Sequence, residues 1–151
     1  MPDATSPDQQ RQLAIDLFNQ VWTMMENPDR DADDDDRMLH AAHASRYLWG
    51  EVGEPVNRVR GEWQISRVYC VLGRAEPALH HAGRCLALCG EHGIGDFDLA
   101  YAHEALARAR GLAGDRDGAN DSRRLAEQAA AGIADADDRE HLLRDLATLP
   151  S

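Results

Sequence analysis

Arg60, Trp63, Arg67 and Cys70 fall at steps of three to four residues, and so do Tyr101, Glu104 and Arg108 further along the chain. On a helix, steps of that size return to one face, so each set forms a stripe. Guanidinium groups beside aromatic rings suit a carboxylate or an extended peptide, because arginine can grip a carboxylate through two parallel hydrogen bonds. The competing reading is structural. Trp63 then belongs to a core, and the arginines pair with Glu62 and Glu104 on a solvated surface. Local charge favours a recognition surface: residues 58–84 hold five Arg against two acids, whereas residues 26–37 hold seven acids against two Arg.

His40, His43 and Tyr47 share a second face at i, i+3 and i+7. Two such histidines could hold a metal ion if His81 or Glu104 supplied a third ligand. The glutamate that follows the first histidine in zinc proteases is missing, however. Asp29, Asp31 and Asp33 imitate the start of a calcium loop, yet Asp34 stands where the turn glycine belongs and His40 where a bidentate glutamate is needed. Cys70, Cys85 and Cys89 could supply three thiolates, but free thiols inside an alanine-rich helical core are the commoner arrangement. Ser45 and Ser66 lack a nucleophile context, and Gly93-Ile94-Gly95 is too short for a phosphate loop. These incomplete sets imply neither a metal nor a cofactor.

Composition narrows the partners. The 151 residues carry 27 acidic and 16 basic side chains, for a net charge of −11. Every basic residue is arginine, as expected from a coding preference. A surface so acidic is unsuited to general nucleic-acid binding or to docking on anionic lipid. No apolar run approaches the roughly 20 residues that span a bilayer. The start, Met1-Pro2-Asp3-Ala4-Thr5, lacks the basic and apolar regions of a signal peptide. Three cysteines, an odd number, placed within helical patterns suit a reducing compartment, so a cytoplasmic location is expected.

The elements that would position these side chains are helices. A tail, 1–7, ends in a Ser6-Pro7 helix start, and residues 8–151 form a single domain. Apolar periodicity predicts helices over about 8–26, 36–51, 55–72, 75–91, 96–113, 116–132 and 137–149. Asn27-Pro28 stops the first, and residues 27–36 read as an acidic loop. Gly73 and Gly114 read as left-handed caps and turns. No window alternates as a strand does.

Val71-Leu72-Gly73-Arg74-Ala75-Glu76-Pro77-Ala78 recurs 41 residues later as Leu112-Ala113-Gly114-Asp115-Arg116-Asp117-Gly118-Ala119. A fixed period marks stacked units that cannot bury their apolar faces singly. Tyr69, Gly73, Glu76, Ala78, Leu79, Cys85, Leu86 and Leu88 in one copy, and Leu106, Gly114, Asp115, Asp117, Ala119 and Ala126 in the next, carry the resemblance. The chain resembles the tetratricopeptide-repeat family, best over 56–132 and weakly over 8–51. That resemblance implies an all-α, right-handed stack of about three antiparallel hairpins, with the last helix as a cap. It also implies a concave face built by the first helix of each pair.

The function expected is a non-catalytic module whose concave groove binds a protein or peptide segment, acidic or C-terminal in character, through Arg60, Trp63, Arg67, Tyr101, Glu104 and Arg108, with His40 and His43 nearby. Two alternatives stand beside it. One is a small-ligand pocket or enzyme formed by His40, His43, Glu62, His103 and Glu104. The other is a homodimer that buries Phe18, Trp22 and Met25.

Overall fold

A computed structural model describes residues 5–150. Its elements are α1 (Pro7–Glu26), α2 (Ala32–Val52), α3 (Pro55–Val71), α4 (Ala75–His92), α5 (Asp96–Leu112), α6 (Arg116–Ala131) and α7 (Ala136–Ala147). Among the described residues there is no strand. Residues 1–4 of the expected tail lie outside the described residues, and Ser6 already caps α1, its hydroxyl accepting from the Gln9 amide. Asp31, Asp115 and Asp135 cap α2, α6 and α7 in the same way, each filling one of the orphan amide donors of a first turn.

Helices pair as hairpins, α1 with α2, α3 with α4 and α5 with α6, and each hairpin packs on the next through α2–α3 and α4–α5. The first helices also touch in succession, α1 on α3, α3 on α5 and α5 on α7. The result is an all-α stack of antiparallel hairpins with α7 closing the open end against α5 and α6. The repeated segment makes identical turns. Leu72, Gly73 and Arg74 donate their amides to Val68, Cys70 and Tyr69; Ala113, Gly114 and Asp115 donate to Ala109, Gly111 and Arg110. Gly73 (φ 73°) and Gly114 (φ 85°) hold the left-handed conformation these turns require, which a side chain would strain.

The first hairpin turns differently, and here the sequence expectation needs correcting. Asp33 to Asp36 are not loop. They lie in the first turn and a half of α2, and only residues 27–31 connect the helices. Carboxylates at this end are stabilised by the helix dipole, and Asp34 reciprocates the Asp31 cap. Arg30 organises the connection. Its Nη1 donates to the carbonyls of Met25 (2.9 Å) and Asn27 (2.7 Å), while its Nε pairs with Asp35 at 2.9 Å. A charged side chain thus satisfies the end of α1, where the other hairpins use a left-handed glycine.

Small residues let the helices approach closely. Val21, Met38, Ile65, Val68 and Ala78 form a core across α1 to α4, and Ala100, Ala126, Ala130, Ile133, Leu142 and Leu146 form another across α5 to α7. Polar bonds lock the layers. Ser45 donates to the Ala14 carbonyl, Ser66 to that of Ala78, and Gln64 to that of Phe18, at 2.8, 2.8 and 2.9 Å. The repeat equates Ala78 with Ala119, but the structure separates them: Ala78 is fully buried and Ala119 only partly so. Ala78→Leu is therefore expected to destabilise by about 1–3 kcal/mol through overpacking. Ala119→Leu should cost less than about 1 kcal/mol. Urea midpoints of the two variants test the ranking, and equal losses would refute it.

Candidate functional site

The first helices enclose one side of a half-open groove of about 750 Å³. Phe18, Trp22 and Glu26 come from α1, Val59, Arg60, Trp63 and Arg67 from α3, Asp96, Phe97, Asp98 and Tyr101 from α5, and Asp138, His141 and Asp145 from α7. Its wall is a continuous run of rings. Centroids lie 6.1 Å apart for Phe18–Trp22, 5.3 Å for Trp22–Trp63, 5.4 Å for Trp63–Tyr101 and 4.7 Å for Phe97–Tyr101. Edge and tilted contacts of this kind suit the ring quadrupoles and hold the wall rigid. Phe18 and Trp22 thus turn into the groove, and Met25 packs against the first core.

Beneath the wall, the expected arginine stripe is already engaged within the protein. Glu104 has no exposed surface. It accepts from Arg108 Nε at 2.8 Å, Arg67 Nη2 at 3.3 Å and Trp63 Nε1 at 3.4 Å. Arg108 continues to α7, donating to the Asp145 carbonyl (3.2 Å) and Thr148 Oγ1 (2.8 Å). The Tyr101 hydroxyl donates to Asp145 Oδ2 at 2.6 Å. Burial, then this bond, drives the phenol well above its ordinary value, so it remains a donor. Arg60 grips Asp98 through two bonds of 2.9 and 3.2 Å. Arg60, Trp63, Arg67 and Tyr101 therefore line the groove, whereas Glu104 and Arg108 support it from below.

Family models, curated proteins and solved structures give no match to this chain. Its geometry stands by itself.

The histidine face divides. His40 is exposed, as is Tyr47, while His43 turns inward between α2, α3 and α4. There His43 Nε2 meets the Tyr69 hydroxyl at 2.9 Å, and Tyr69 stacks on His81. His81 Nδ1 lies 2.6 Å from Glu62, whose other oxygen accepts from Arg46 at 3.0 Å. Gly61 permits this approach, since a Cβ there would sit 2.8 Å from Arg46 Cδ. Glu62 and His43 belong to this cluster and Glu104 to the groove floor. His103, beside Arg110, hydrogen-bonds to neither. The five residues of the alternative pocket are not brought together. Among the described residues no three His, Cys, Asp or Glu side chains gather as a metal site. The cysteines sit in the helix interfaces, and burial pushes the Cys70 thiol up to about 11.

Acid should act on these buried titratable groups in two stages. Burial, reinforced by His81, lowers the His43 value from its ordinary 6.5, and burial beside Arg110 lowers that of His103. The unfolded imidazoles then bind protons that the folded ones refuse. Their stabilising effect is complete above 6.5 and is lost as pH falls toward the lowered folded values. Burial alone would raise Glu62, but the His81 bond and charge and the Arg46 contact outweigh it and hold the carboxyl below 4.5. Its contribution is present above 4.5 and lost as pH falls through the folded value. Urea midpoints should fall between about pH 7.5 and 5.5, then again below about pH 4.5. A rise in the first interval would show that the buried imidazoles carry charge in the folded state.

One pattern in the site lies open in the sequence once the fold is known. Trp22, Trp63, Glu104 and Asp145 follow one another at intervals of 41 residues, one on each of α1, α3, α5 and α7. The ladder runs from ring contact to indole–carboxylate bond, and Arg67 then bridges Glu104 (3.3 Å) and Asp145 (3.9 Å). Phe97 and Asp138 stand at the same 41-residue interval on α5 and α7, whereas Asp98 has only Asn57 and Arg139 at that spacing and carries no such signal.

Proposed function

We propose that this chain is a non-catalytic, tetratricopeptide-like binding module that holds a peptide segment of a partner protein along the α1–α3–α5–α7 groove. The carrying observation is the aromatic wall. It presents large rigid side chains in a half-open channel of about 750 Å³, a size that suits several side chains of a bound segment. Aromatic side chains of this kind anchor protein interfaces at small entropic cost. The charge network beneath supports the same reading, since it fixes the wall before any ligand arrives and so reduces the ordering that binding requires. Among the described residues no helix is long and apolar enough to cross a membrane. The three unpaired thiols fit a cytoplasmic setting.

A displayed random-peptide library, selected on the protein and counter-selected on a folded Trp22→Ala variant, tests the proposal. Enrichment of clones that bind the parent and lose the variant is expected. If every enriched clone binds both equally, the groove is not the binding surface.

A further inference from the structure

The groove's charge is opposite in sign to what its arginines suggest. Five carboxylates line it, Glu26, Asp96, Asp98, Asp138 and Asp145, against the two guanidinium groups of Arg60 and Arg67. Both arginines are already engaged. Arg60 is paired with Asp98, and Arg67 is held by Glu104 with Asp145 beyond it. Glu26 and Asp138 form no ion pair among the described residues, and both are exposed. An incoming carboxylate would therefore meet uncompensated negative charge and two guanidinium groups already paired with carboxylates. An incoming cation meets the reverse.

The wall has the matching chemistry. Aromatic faces attract guanidinium and ammonium groups through the ring quadrupole. The protein displays one such arrangement internally: the Arg67 guanidinium carbon lies 5.4 Å from the Trp63 ring centroid while the same group bonds to Glu104. Ring and carboxylate together thus hold a guanidinium inside the groove. Trp22 and Phe97 offer further ring surface, with Glu26 and Asp138 lining the same channel.

We infer that the groove recognises a basic peptide segment, arginine or lysine side chains lying against the aromatic wall with their charges answered by Glu26 and Asp138. This inference rests on the groove being the binding surface. It departs from an acidic or C-terminal partner, because that partner requires arginines that the structure has already spent on Asp98 and Glu104.

The test titrates the full chain with three matched peptides carrying arginine, glutamate or serine at the same spaced positions. Tryptophan emission serves as the signal. Trp22 and Trp63 line the groove, whereas Trp49 is buried on α2, outside the groove lining. The arginine peptide should bind most tightly, and its affinity should fall as salt rises. The double variant Glu26→Gln/Asp138→Asn removes charges that make no internal ion pair, and should weaken the arginine peptide about tenfold while lowering the thermal midpoint only slightly, through the place of Asp138 in the first turn of α7. Tightest binding by the glutamate or serine peptide, abolished by Trp22→Ala, would overturn the cationic inference and leave the groove reading intact. Arginine-peptide binding indifferent to the double variant would overturn the assignment to Glu26 and Asp138. Emission unmoved by all three peptides would overturn both readings.

Discussion

Glu104→Ala is expected to destabilise the fold by about 3–5 kcal/mol, the loss that follows when one member of a buried ionic network is removed. Glu104 has no exposed surface and is the common acceptor for Arg67, Arg108 and Trp63. Alanine leaves two guanidinium groups facing one another in the helix interface, each largely withdrawn from water, with 17% and 15% of their side chains exposed. The damage should extend to α7, because Arg108 also holds the Asp145 carbonyl and the Thr148 hydroxyl. Urea unfolding should show the drop as a lower midpoint. Glu104→Gln keeps an acceptor of the same shape but not the charge, and should lose less. If Glu104→Ala costs under about 1 kcal/mol, water reaches these guanidiniums and the node is not a structural element. A double-mutant cycle with Arg67→Met then separates the pairwise coupling from the penalty of leaving charge unpaired.

That node also shows where sequence reasoning reaches its limit. The three-to-four spacing correctly places Arg60, Trp63 and Arg67 on one face of α3, and Tyr101 with Glu104 and Arg108 on one face of α5. Spacing within a helix is silent about what faces it. Asp98 and Glu104, 38 and 37 residues from their arginine partners Arg60 and Arg67, engage these guanidiniums before any ligand arrives. The fold was legible because its signals are local. Gly73 and Gly114 stop helices by a backbone requirement that no neighbour can alter, and apolar periodicity marks the helices between them. The acidic segment misled for an equally local reason. Asp33 to Asp36 have poor propensity inside a helix, yet in a first turn their charges meet the positive end of the dipole, and Arg30 closes the turn from outside it.

Trp63→Ala should have the second largest effect, about 3 kcal/mol, the low end of the range for removing a large aromatic because part of the ring faces the groove. The indole packs against three separate apolar clusters and touches rings from both neighbouring first helices, Trp22 on α1 and Tyr101 on α5. Its removal opens a gap where the three helices meet and takes away the surface on which Arg67 lies. Trp63→Phe restores most of the ring packing and should cost under about 1.5 kcal/mol. The indole bond it gives up is long, at 3.4 Å, and contributes little. Urea midpoints measure the two losses, and titration with the arginine-bearing peptide reads the groove. If the wall is both a structural seam and the contact surface, Ala should lower the midpoint and abolish peptide binding, whereas Phe should retain most of both. An unchanged midpoint for Trp63→Ala would mean that the ring hangs in the groove without joining the hairpins. The wall would then owe its rigidity to the buried carboxylate beneath it rather than to the rings themselves.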